Sequence, residues 1–239
     1  MQRSTGAKHR TGLLTVLAAA AILLAAEGCR PLAERSKVGF YLDAPALASG
    51  VRQAALVPLK NETNYLPLAD TMTSALLEAV QARQLFHVEV VRVLDPATEG
   101  AVLDGRRELT LKELAHLRQT LRCDAVLLGT VNQFQPYPRM RIGLYLRLLD
   151  LRDSRVLWAV DHTWDATDQE TQERIARYFY KERGGNYEPL GWQLATFSPA
   201  ALAQFVAHEA AATLPPKTQP ENLPAGRQGG GPGGGPGEL

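Results

Sequence analysis

DAVLLGTVNQFQPYPRMRIGLYLRLLDLRDSRVLWAVDHTW, residues 124–164, decides the fold. From Arg139 to Asp150 the side chains alternate almost without fault. Met140, Ile142, Leu144, Leu146 and Leu148 face one way, and Arg139, Arg141, Tyr145 and Arg147 face the other. A period of two is the mark of a strand with one buried face. Asp124–Gln135 before it is a strand that ends at Pro136 and Pro138. Arg155–Trp164 after it returns through an Arg152-Asp153-Ser154 turn, with Val156, Trp158, Val160 and Trp164 on one side. The stretch predicts an antiparallel meander with one wet side, which requires helices to cover the other.

Working outward, Gln53–Leu59 is a short apolar run suited to a sheet interior, and Pro58 places its end or an edge there. Leu66–Gln84 puts Leu68, Met72, Ala75, Leu76, Ala79 and Val80 on one helical face. Phe86–Leu94 alternates as a strand, and polar Asp95–Glu108 reads as a loop. Thr110 with Glu113 forms a capping box for a helix that buries Leu114, Leu117 and Leu121. After the meander, Thr167 with Glu170 caps a helix over 168–183 that Gly184-Gly185-Asn186 stops. Ser198-Pro199 opens a last helix with Leu202, Phe205 and Val206 inward. The expected architecture is α/β: a single mixed sheet in β-α-β-α-β-β-β-α-α order, helices mainly on one face. Its domain spans 51–214, after a tether over 29–50 whose Val38–Leu42 stretch is apolar enough to pack on the domain, and before a Pro/Gly-rich tail (215–239) that buries nothing.

The head of the chain reads as a leader over residues 1–28. Arg3, Lys8 and Arg10 precede an apolar run, Leu13–Ala26, too short to span a hydrocarbon core of about 30 Å. The run closes on Ala26-Glu27-Gly28-Cys29, which resembles a bacterial lipobox. That resemblance implies cleavage before Cys29 and palmitate-type acylation of its thiol and new amino end; Glu27 departs from the pattern, which prefers a small residue. By resemblance to bacterial sorting rules, Arg30 implies delivery to the outer membrane, with the domain facing the periplasm. Acylation also rules out a Cys29–Cys123 disulfide and leaves Cys123 as a small buried hydrophobe. Without the leader the chain is near neutral, against 26 basic and 25 acidic residues in full, which argues against nucleic acid as a partner.

Three segments carry a family likeness: ALVPLKNETNYLPLADTMTSALLEAV (55–80), DAVLLGTVNQF (124–134) and LRLLDLRDSRVLWAV (146–160). They resemble the envelope fold shared by the curli secretion lipoprotein, the lipoprotein activator of a penicillin-binding protein, and the amino-terminal domain of the Tol-Pal translocation protein. The shared features are the strand ending in proline before an Asn-containing loop, the Gly-Thr-Val step and the Leu-Asp-turn-Trp hairpin. The resemblance implies a lipid-anchored envelope protein; members range from pore subunits to enzyme activators.

No residue pattern demands catalysis. Gly-x-Ser-x-Gly, a phosphate loop and HExxH are all missing, and the glycine run at 229–235 has no strand before it or helix after it. No cofactor or metal is therefore expected. Asp150 and Asp153 bracket a turn and Asp168 suits a helix start, which accounts for most of the aspartates at 150–168. Two features suit a binding partner instead. Arg139, Arg141 and Arg147 line one strand face, joined by Arg155, and read either as a solvated face or as a strip for an acidic partner or lipid headgroups. YFYKERGGNYEPLGWQLATF (178–197) is rich in aromatics, which serve equally to pack a helix pair or to anchor an interface. If any are exposed, Tyr187 and Trp192 are the ones singled out. The expected protein is a non-enzymatic, lipid-anchored envelope protein that binds and positions another envelope protein. The alternative is a subunit of an oligomeric outer-membrane export complex, and a homo-oligomer is compatible with either. A pore needs extra alternating strands of about 9–11 residues, and the alternating strands here are already used by the sheet.

Overall fold

The computed structural model describes residues 37–91, 108–181 and 191–216. Its strands are β1 (Phe40–Leu42), β2 (Gln53–Leu56), β3 (Lys60–Asn61), β4 (His87–Val90), β5 (Ala125–Gln135), β6 (Arg141–Asp150) and β7 (Val156–Asp165). The helices are α1 (Ala44–Gly50), α2 (Pro67–Arg83), α3 (Leu111–Leu121), α4 (Gln169–Lys181), α5 (Leu194–Phe197) and α6 (Pro199–Ala212). One seven-stranded mixed sheet runs β1-β7-β6-β5-β2-β4, with β3 also on β5. β5, β6, β7 and β1 are antiparallel, while β2, β3 and β4 join in parallel.

The expected meander is present, and its apolar side is the main core. Ile142, Leu144, Leu146 and Leu148 meet Trp158, Val160 and Trp164 there, under Leu68, Met72 and Leu76 of α2, Ile175 and Phe179 of α4, and Leu202, Phe205 and Val206 of α6. The Gly-Thr-Val step is a packing device. A Cβ on Gly129 would stand 2.8 Å from the Tyr145 carbonyl oxygen as well as 2.5 Å from Leu146 Cδ2, so any larger residue would force the neighbouring backbone to shift. Pro58 interrupts the strand that would otherwise join β2 to β3. Leu59 N–H then leaves the ladder and donates to Thr73 Oγ1 at 3.0 Å, which satisfies a buried donor at the break.

Four expectations need correction. The segment 38–50, read as tether, is part of the domain: β1 pairs antiparallel with β7, and α1 follows, capped when Asp43 Oδ1 accepts from Ala46 N–H at 3.1 Å. Three residues show no period, and only pairing with a distant strand defines them. Second, the other sheet face is not wholly wet. Leu114 and Leu117 of α3 pack there on Ala55, Val57, Val126, Leu128 and Leu149. Third, a register shift between Leu148 and Leu149 turns Leu157 into the main core and leaves Val156 against the α3 side. Fourth, α4 is capped by Asp168 rather than Thr167: Asp168 Oδ2 accepts from Thr171 N–H at 2.9 Å, while Thr167 hydroxyl donates to Asp165. The Thr110–Glu113 box and the Ser198 cap form as expected.

Candidate functional site

Among the described residues, the apolar cluster that α3 makes on the second face reaches β2, β5 and the β6–β7 hairpin end, and the rest of β6, β7 and β1 contributes no residue to it. In that portion Tyr145 and Asp161 are register partners, as are Arg147 and Ala159, with Tyr41 of β1 next to Ala159. Thr163 hydroxyl donates to Gln133 Oε1 at 3.4 Å, and Arg141 Nε donates to Asp165 Oδ2 at 2.7 Å.

The arginine strip does not exist as such. Arg139 is exposed but lies in the β5–β6 turn. Arg141 is half-buried and ion-paired with Asp165. Burial raises the Asp165 pKa, but hydrogen bonds from Thr167 and Arg141 outweigh it and hold the carboxyl below its ordinary range. Arg147 is only 9% exposed, its guanidinium carbon 6.0 Å from the Tyr145 ring centroid. Arg155 is bound at the hairpin turn by Asp153 at 2.8 Å. Alternation along β6 puts Arg141, Tyr145 and Arg147 on one face, and that face is partly covered.

Among the aromatics of 178–197, Trp192 is half-buried against the main core and Tyr178 and Phe179 are buried in it. The exposed members are Tyr180 and Phe197. Tyr187 and Cys29 lie outside the described residues. Among the described residues no group of three or more His, Cys, Asp or Glu is placed to hold a metal ion.

The apolar Val38–Leu42 stretch does pack on the domain, and it does so as an edge strand. β1 closes the sheet order, bonded on one side only among the described residues. Asp161 N–H donates to Gly39 O at 3.2 Å and Asp43 N–H to Leu157 O at 2.8 Å. Antiparallel alternation therefore turns the backbone N–H and C=O of Phe40 and Leu42 outward. Phe40 and Tyr41 are 46% and 54% exposed beside them. An open edge with exposed aromatics is a template for pairing with another chain. The only hint in the sequence is the apolar cluster from Val38 to Leu42.

A polar cluster on the opposite face is structural. Glu209 Oε2 of α6 accepts from Arg174 Nε of α4 at 2.9 Å and from Trp164 Nε1 of β7 at 3.3 Å. His162 lies edge-on to Trp164, with ring centroids 4.7 Å apart. Burial lowers its pKa and the nearby Arg174 cation lowers it further, while Glu209 and Asp161 oppose the shift. The unfolded chain therefore takes up this proton first. Stability from neutral His162 is present above its ordinary value of 6.5 and is lost as pH falls below it. Urea titrations on either side of that pH should show the drop, and His162→Gln should flatten it.

No family model and no curated protein matches this chain. Solved structures do resemble it at low identity. A PelC dodecamer from Paraburkholderia phytofirmans aligns with TM-score 0.41 and 18% identity over 57% of this chain and 86% of that one. Lipoprotein GNA1162 from Neisseria meningitidis aligns with TM-score 0.36 and 15% identity over 56% of this chain and 98% of that one. The LpoB C-terminal domain from Salmonella enterica gives TM-score 0.36 and 19% identity over 50% of this chain and 89% of that one.

Proposed function

We propose that this protein is a non-enzymatic lipoprotein, held in the envelope by acylated Cys29, whose domain binds and positions another envelope protein. The observation that carries the reading is the open edge of β1, with its outward backbone groups and exposed Phe40 and Tyr41. An extended segment of a partner that adds a strand there gains main-chain hydrogen bonds, and the flanking side chains supply selectivity. The lipid anchor keeps the edge within reach of envelope partners and away from cytoplasmic ones. No helix among the described residues is long and apolar enough to cross a membrane.

The test uses a photo-crosslinking residue at Tyr41 in the native envelope, with and without Phe40→Pro. Phe40 N–H points away from β7, so proline there removes an outward donor and leaves the β1–β7 bonds in place. Capture of one envelope protein by the parent, lost at least ten-fold in the proline variant with unchanged thermal stability, supports the proposal. Equal capture in both overturns it. A product consisting of two copies of this chain favours the oligomeric alternative.

A further inference from the structure

The end of the sheet where β5 and β7 finish and β6 begins carries an exposed apolar rim. Tyr137, in the β5–β6 turn, is 83% exposed, and Pro136 and Pro138 beside it are exposed too. Leu66, just before α2, is 81% exposed. Tyr65 next to it packs on Phe134 of β5, the rings tilted by 34° with centroids 4.9 Å apart. These residues come from two loops that the topology brings together: β3 runs parallel to β5, so the 62–66 loop leaves toward the 136–140 turn.

The amino-terminal segment enters at this same end. β1 is antiparallel to β7, so the residues before it run toward the end of β7. Lys37 Nζ is 2.8 Å from Glu170 Oε1, in the first turn of α4, directly after that strand. The 136–140 turn is bonded to the same junction, since Ala166 N–H donates to Met140 O at 2.9 Å. Val38, the first buried residue among those described, is nine residues on from Cys29. Nine residues reach about 30 Å at full extension. Ten-residue β6 alone spans a similar length, about 33 Å. A bilayer holding Cys29 is therefore never farther from this end than the height of the sheet.

We propose that the rim formed by Tyr65, Leu66 and Tyr137 docks on the lipid surface, so that the domain lies against the bilayer in one orientation instead of swinging on its leash. The inference rests on the acylation of Cys29 put forward above. The occupant is a zwitterionic lipid surface. Charges around the rim are mostly paired in opposite signs: Lys37 with Glu170, Lys60 with Glu62 and Arg141 with Asp165. With little net charge to draw anionic lipid, what the rim offers is aromatic and aliphatic surface of the type that settles at the headgroup level. Docking here leaves β1 running away from the bilayer, its outer edge open to a partner in the aqueous compartment.

The experiment reconstitutes the full mature lipoprotein into vesicles of equimolar phosphatidylethanolamine and phosphatidylcholine. An environment-sensitive fluorophore is placed through Arg139→Cys in the turn or through Thr120→Cys on α3, at the far end of the sheet. Cys123 is buried, and acylation blocks Cys29. Flotation with the vesicles reads the anchor, and quenching by nitroxide-headgroup lipid reads the rim. The expected result is several-fold stronger quenching at 139 than at 120, abolished by Leu66→Ser with Tyr137→Ser while flotation persists. Equal quenching at both positions in a protein that floats overturns the docking and leaves the anchor standing. A protein that does not float overturns the anchor, and the docking with it.

Discussion

Trp158→Ala is expected to lower the unfolding free energy by about 3–5 kcal/mol, the cost of removing a large aromatic from a closed core. Trp158 is fully buried in the main cluster, opposite Leu42 of β1 in register. Its Nε1 donates to Thr213 Oγ1 at 2.7 Å, and that hydroxyl donates to Ala210 O at the end of α6, also at 2.7 Å. Arg83 Nη2 of α2 donates to Leu214 O at 2.6 Å beside it. One side chain therefore joins the sheet to the end of α6, where α2 is also fastened. Trp158→Phe keeps most of the packing and loses the hydrogen bond, so about 2 kcal/mol is expected from the abandoned Thr213 acceptor and the lost ring. Urea unfolding of both variants checks this. A Trp158→Ala loss under about 1 kcal/mol would mean that the site collapses around the gap, contrary to the close packing seen.

Cys29→Ala is expected to abolish palmitate labelling and move the protein from the membrane fraction to the soluble one. A single acyl chain holds a protein only marginally, with a partition constant near 10⁴ M⁻¹, and stable anchoring takes more than one. The proposed modification supplies several on one residue, so its removal should be close to all-or-none. Labelled palmitate that persists in the variant would place the lipid elsewhere. A wild type without label would remove the anchor altogether.

How much of this was legible in the chain depends on how local the signal is. The caps at Thr110 and Ser198 are written within a few residues and form as read; the alternation at 140–148 sets the core face of β6 but not a wet opposite face, where Arg147 is buried. β1 is not local: Phe40–Leu42 becomes a strand only because β7 offers an unpaired edge more than 110 residues later. Nor is Arg147 settled locally: its strand pattern reads as a wet face, and in the packed molecule it is only 9% exposed. Capping at 165–171 was misread because Thr167 and Asp168 both suit a helix start; Asp168 took the role while Thr167 was held by Asp165. For the candidate site, residue types could mark aromatic and basic segments, but exposure is a property of the packed molecule. Hence Trp192 lies against the core and Phe40 and Tyr41 lie in the open.

The central claim, a lipid-held domain that uses its free edge to hold a partner, is tested most directly by purifying the detergent-extracted lipoprotein from its own envelope, beside Phe40→Pro, and weighing what comes with it. One other envelope protein is expected in fixed ratio to the wild type and none with the variant. A closed assembly of this chain alone, or the same companion in the same amount with both, would contradict it.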